Sequence, residues 1–119
     1  MTPIIAQNND MLIRISEIEI HPQFVTEYTD ILKEEASVSV QIEKGVVAIF
    51  PMVQKENKTQ IRILEIYANQ ESYQSHLKTP HFLKYKSSTL KMVKSLKLID
   101  MNAIDPNTMN DIFKKITNK

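Results

Sequence analysis

The chain has 119 residues, enough for one domain with a single modest core. Apolar residues make up 42% and charged residues 24%, ordinary for a globular protein, and the formal net charge of +1 gives no bulk reason to expect a nucleic-acid partner. Cysteine is absent, which excludes thiol catalysis, disulfides and thiolate metal sites; one glycine, Gly45, is too few for the glycine-rich loops that cradle phosphates or dinucleotides.

The elements follow in chain order. Residues 1–10 lack the basic and long apolar regions of a leader, and are expected to be disordered or, if the true start lies upstream, the end of a leader. As written the chain is expected to be cytoplasmic, with export as the alternative. No apolar run is long enough for a membrane span, so no membrane partner is expected. Residues 11–20 (MLIRISEIEI) are rich in β-branched residues and carry apolar side chains on both alternating faces, which predicts a strand covered on both sides. His21-Pro22 ends it and opens a helix to about Ser39, with Phe24, Tyr28, Ile31, Leu32 and Ala36 as its apolar stripe. Glu27, Asp30, Glu34 and Glu35 are expected mostly outside that stripe.

Gly45 marks a turn. Residues 46–53 (VVAIFPMV) read as a buried strand, with Pro51 pointing to an edge or a bulge near its end. After the polar loop 54–58, residues 59–68 form a third strand, with Ile61, Ile63, Glu65 and Tyr67 on one face. A carboxylate among such neighbours is paired, at an edge, or functional; Arg14 and Arg62 are the candidate partners of Glu65. Asn69 caps a short helix through Leu77, which places Tyr73, His76 and Leu77 on one face. Thr79 and Pro80 start the next helix, with the stripe Phe82, Tyr85, Thr89, Met92 and Val93 and with His81 in the first turn. There the positive helix end favours a neutral imidazole. Residues 95–101 are the last strand, and residues 111–119 a short tail helix or frayed end after the break at Pro106. The domain is expected over 11–105, with 106–119 as a tail.

Strand, helix, two strands, a helix pair and a strand make the βαββαβ plan of a ferredoxin-like α+β sandwich: an antiparallel sheet with helices on one face. The doubly apolar first strand asks for cover on the other face, which a homodimer packed sheet against sheet would supply.

The run Ile63-Leu64-Glu65-Ile66-Tyr67, then Tyr73, then His76-Leu77-Lys78-Thr79-Pro80-His81-Phe82 with Tyr85, resembles the antibiotic biosynthesis monooxygenase family, in particular its quinol monooxygenases and autoinducer-breakdown enzymes. The agreement in element order covers residues 11–102. The resemblance implies a dimeric α/β barrel-type assembly and, for one branch, oxidation of small aromatics with O₂ and no cofactor. The haem-degrading branch carries a tryptophan and a haem-ligating histidine where this chain has His76 and Lys86, which argues against haem breakdown. The family's Pro-Gly turn after the first helix is here Lys44-Gly45, a change expected to have no chemical consequence.

The candidate catalytic residues are His76, His81 and Glu65, with Glu65 either orienting a histidine or acting as a base. The candidate substrate-binding residues are Tyr67, Tyr73, Phe82 and Tyr85. An imidazole titrating near neutral pH is the usual acid/base tool of a small protein. Each residue also has a plain reading: a packed histidine, a capping histidine, an ion-paired glutamate, core aromatics. His21 reads as structural. A His76–His81–Glu65 metal site is not expected, since the spacing broken by Pro80 is not that of a helical ligand pair, so neither metal nor cofactor is assigned. Between Ser72 and Ile99 there are six lysines (78, 84, 86, 91, 94 and 97) and no acidic residue, either a solvated face or an attractor for an anion. Three functions fit: a cofactor-independent monooxygenase of a hydroquinone-like aromatic; an isomerase or breakdown enzyme for a small hydroxy-ketone, phosphorylated or not; and a non-catalytic dimeric module for a small apolar ligand.

Overall fold

The computed structural model describes residues 10–117; the leader expected over 1–10 lies, but for Asp10, outside them. Four strands, β1 (Leu12–Ile20), β2 (Val46–Val53), β3 (Gln60–Tyr67) and β4 (Val93–Met101), form one antiparallel sheet in the order β2-β3-β1-β4. A 3₁₀ turn (Pro22–Phe24) leads into α1 (Val25–Ile42); α2 (Gln70–His76) and α3 (Pro80–Thr89) lie between β3 and β4, and α4 (Thr108–Thr117) ends the described chain. The βαββαβ plan of the ferredoxin-like fold is thus present, with helices on one face.

Local rules account for the boundaries. Asn69 accepts the Ser72 amide at 2.7 Å and so starts α2, and Thr79 Oγ1 accepts the Phe82 amide at 3.2 Å and starts α3 behind Pro80. The first helix runs three residues beyond the expected Ser39, and the last strand begins two residues earlier than expected, at Val93. Pro51 does lie on an edge strand, but the register shift in β2 is at its start, between Val46 and Ala48.

The helix-facing side of the sheet holds the core: Ile18 and Ile20 from β1, Val46 and Ile49 from β2, Ile61, Ile63 and Tyr67 from β3, packed on Tyr28, Leu32 and Ala36 of α1 and on Met92. The other side carries Ile13, Ile15, Leu64 and Ile66 near its centre and exposes Phe50, Met52 and Met101. In α4 the residues Met109, Ile112, Phe113 and Ile116 share one stripe, yet none of its residues is buried. No helix of the described residues is long and apolar enough to cross a membrane.

Candidate active site

Between sheet and helices lies a cavity of about 330 Å³. Its floor is the inner face of β1 and β3, Arg14, Ser16, Ile18, Ile63, Glu65 and Tyr67; its walls are Leu32 and Glu35 of α1, Tyr73 and His76 of α2, and Phe82, Tyr85 and Lys86 of α3. It opens over β4, where Leu96 and Leu98 line it and remain 58% and 49% exposed. A mostly apolar hollow of this size with a few converging polar groups is the usual form of a small-molecule site.

One wall is a hydrogen-bonded cluster. Glu43, the residue after α1, accepts from Nδ1 of His76 at 2.9 Å and from Nε2 of His81 at 2.5 Å through the same oxygen, Oε2. Nε2 of His76 lies 3.7 Å from Oε2 of Glu35, which accepts from Ser39 at 2.8 Å. All four side chains are largely buried. Burial drives the Glu35 carboxyl above its ordinary range, only partly offset by Ser39 and His76. Burial also pushes Glu43 up, but the hydrogen bonds from His81 and His76 outweigh it and hold that carboxyl low, so Glu43 is the anion of the cluster.

The floor holds a second cluster. Glu65 accepts from the Tyr67 hydroxyl at 2.7 Å and from Ser16 across the strand pair. Burial, reinforced by the Glu65 charge, raises the Tyr67 phenol far above its ordinary value, so it stays a donor. Tyr85, bonded to Tyr28 at 2.5 Å, is pushed up to about 12, mainly by burial. The Arg14 guanidinium sits 4.5 Å over the Tyr73 ring and is anchored to Asp100 at 2.9 Å.

The sequence-predicted residues divide accordingly. His76, Glu65, Tyr67, Tyr73, Phe82 and Tyr85 all line the cavity, and His81 stands behind His76 on Glu43. The expectations for Glu65, His81 and Glu35 need correction. Glu65 is bound to neither Arg14, whose partner is Asp100, nor Arg62, which lies 3.9 Å from Glu17. Nor does it orient a histidine; Glu43 does. His81 is partly exposed in the first turn of its helix, as expected, but its ring is also held by the largely buried carboxylate of Glu43. Glu35, expected outside the apolar stripe, is 6% exposed. The sequence alone does not mark Glu35, Glu43 or Ser16 as site residues, and it offers Arg14 only as a partner of Glu65. Glu35 lies three residues from Leu32 and seven from Tyr28, a helical spacing that signalled burial. Among the described residues, Glu35, His76 and His81 each bring one potential metal-ligating atom within 4.8 Å of the others; Glu65 is not part of that group. Of the six lysines only Lys86 reaches the cavity, and all six are exposed, as a solvated face requires.

Residues 11–88 match the antibiotic biosynthesis monooxygenase family. The chain belongs to that family. A candidate antibiotic biosynthesis monooxygenase from Bacteroides thetaiotaomicron is 43% identical, with a TM-score of 0.82 over 83% of this chain and 94% of its own. A candidate monooxygenase from Lactobacillus acidophilus is 28% identical, with a TM-score of 0.74 over 79% of this chain; the match spans 44% of that longer protein. At 14% identity, a candidate monooxygenase of the same family from Nitrosomonas europaea shares the fold, with a TM-score of 0.75. No curated protein matches the chain. Family membership supports an oxidoreductase activity of the monooxygenase type.

Proposed function

We propose that this protein is a cofactor-independent monooxygenase that oxidises a small electron-rich aromatic of the hydroquinone or anthrone type with O₂. The observation that carries the reading is the placement of a buried histidine, His76, on the wall of an apolar cavity whose floor holds a guanidinium, Arg14. His76 removes a proton from the substrate. The resulting anion is stabilised by Arg14, with the tyrosine hydroxyls as further donors. It passes one electron to O₂, the radical pair joins as a peroxide anion that takes the proton back from His76, and loss of water from this hydroperoxide leaves the product with one added oxygen. The apolar walls keep bulk water from the reactive pair. The family frame supports a homodimer joined through the outer sheet faces, which would cover Ile15 and Leu64.

The test is O₂ uptake by purified protein with reduced naphthoquinols and anthrones. Uptake above the spontaneous rate is expected, and His76→Ala should lower it by about 10²–10⁴-fold, the usual worth of a positioned base. Uptake that His76→Ala leaves undiminished would refute the role of the histidine. No uptake at all would refute the oxygenase reading in favour of ligand binding alone.

A further inference from the structure

We propose that Glu43 is the positioning residue that makes Nε2 of His76 the base of this site, and that His81 serves as the second anchor of Glu43 rather than as a base. The assignment of a base rests on the oxygenase reading above; the assignment of the proton-bearing nitrogen does not.

An ionised carboxylate only accepts hydrogen bonds. Oε2 of Glu43 is bonded to Nδ1 of His76 and to Nε2 of His81, so each of those nitrogens carries a hydrogen. A neutral imidazole has one N–H and one lone pair, and the bond made by one nitrogen sets the state of the other. His76 is therefore held with its lone pair on Nε2. Among the described residues that nitrogen makes no hydrogen bond; its nearest polar neighbour is Glu35, at 3.7 Å. His76 lines the cavity and His81 does not. The groups facing the His76 ring are Glu35 from α1, Glu43 after it, Tyr67 from β3, and His81 and Phe82 from α3.

The backbone of Glu43 is itself fixed. Its amide donates to Ser39 at 3.0 Å, and its carbonyl accepts from Val46 at 3.0 Å. The carboxylate thus projects from a turn bound at both ends, and a proton taken up on Nε2 creates a cation already flanked by an anion. Glu43 touches the base and not the substrate, which makes its role one of orientation.

The experiment is a two-bond ¹H–¹⁵N correlation spectrum of the three labelled imidazoles, assigned with His21→Gln and His81→Ala. In the native protein His76 is expected to show a protonated Nδ1 and a bare Nε2, and this state should persist in His81→Ala. In Glu43→Ala the proton should move toward Nε2, and kcat of quinol oxidation should fall on the order of 10²-fold with KM little changed. A native His76 carrying its proton on Nε2, or an unchanged tautomer in Glu43→Ala, would overturn the proposal. The native spectrum decides the matter even if Glu43→Ala does not fold. The nitrogen shifts are read without substrate, so a failure of oxygen uptake overturns the oxygenase reading and leaves this result standing.

Discussion

Gly45 offers the sharpest link between one residue and the geometry of the site. A Cβ built on it would lie 2.1 Å from Oγ and 2.5 Å from Cβ of Ser72. Carbon atoms in contact sit about 3.5–4.0 Å apart, so Gly45→Ala leaves the two side chains about 1 Å too close. Rotating the serine hydroxyl away relieves only the first contact. The turn cannot easily yield, because the carbonyl of Gly45 accepts from Ala68 at 2.8 Å and Val46 is tied to Glu43. The strain therefore falls on α2, which carries Tyr73 and His76, and the His76–Glu43 bond should lengthen. Overpacking of this kind costs about 1–3 kcal/mol, on the order of 1 M in the midpoint of a urea titration. Ser72→Ala should not rescue Gly45→Ala, since its Cβ remains. Ser72→Gly should, less its own helix cost of up to about 1 kcal/mol. Gly45→Ala within about 0.5 kcal/mol of the native protein, or equal rescue by alanine and glycine at position 72, would refute the close-approach account.

Two further outcomes are expected. Burial raises the Glu35 carboxyl, so the folded state holds that proton more tightly than the unfolded chain, and the stability this contributes is lost as pH rises through the folded titration. Glu35→Gln, which keeps an acceptor for Ser39, should therefore unfold at higher urea than the native protein near pH 8, with the gap closing toward pH ~4 where the unfolded carboxyl protonates; a gap that widens on acidification would contradict this. On the outer sheet face Leu64→Lys should convert a species of twice 13.8 kDa into one of 13.8 kDa by light scattering, and a native protein that is already a monomer at micromolar concentration would sink the sheet-to-sheet dimer.

The fold was legible because its signals are local. Alternation along residues 11–20 and 59–68, the caps Asn69 and Thr79, and Pro80 at a helix start each act within a few residues, and each appears in the structure near its expected position. The two-residue error at β4 has the same origin. Met92 and Val93 fit a helical stripe continuing from Thr89, but Met92 is drawn into the core between helix and strand, and Val93 pairs with Ile20.

The site was legible only where a residue type carries chemistry by itself. His76 and the tyrosines advertise themselves; the groups that define what they do are separated from them by long stretches of chain. Glu43 meets His76 across 33 residues and His81 across 38, and Arg14 meets Asp100 across 86. Nothing in the local sequence distinguishes Glu43 from the solvent-facing acids of the preceding helix. Glu65 shows the converse: its face was correctly placed by alternation, but its partners depend on strand register, in which Arg14 stands directly opposite and still bonds elsewhere. A part-buried carboxylate needs donors, and here the nearer ones are neutral hydroxyls, Ser16 and Tyr67. That leaves the Arg14 charge, paired among the described residues with the exposed Asp100, facing the cavity and available to an anion formed there. Glu35 departs from the expected pattern for a related reason: its helical position puts it inside, where Ser39 and His76 make a carboxyl tolerable. The polar groups that sequence periodicity assigns to solvent or leaves unpartnered are thus the ones the fold gathers around His76.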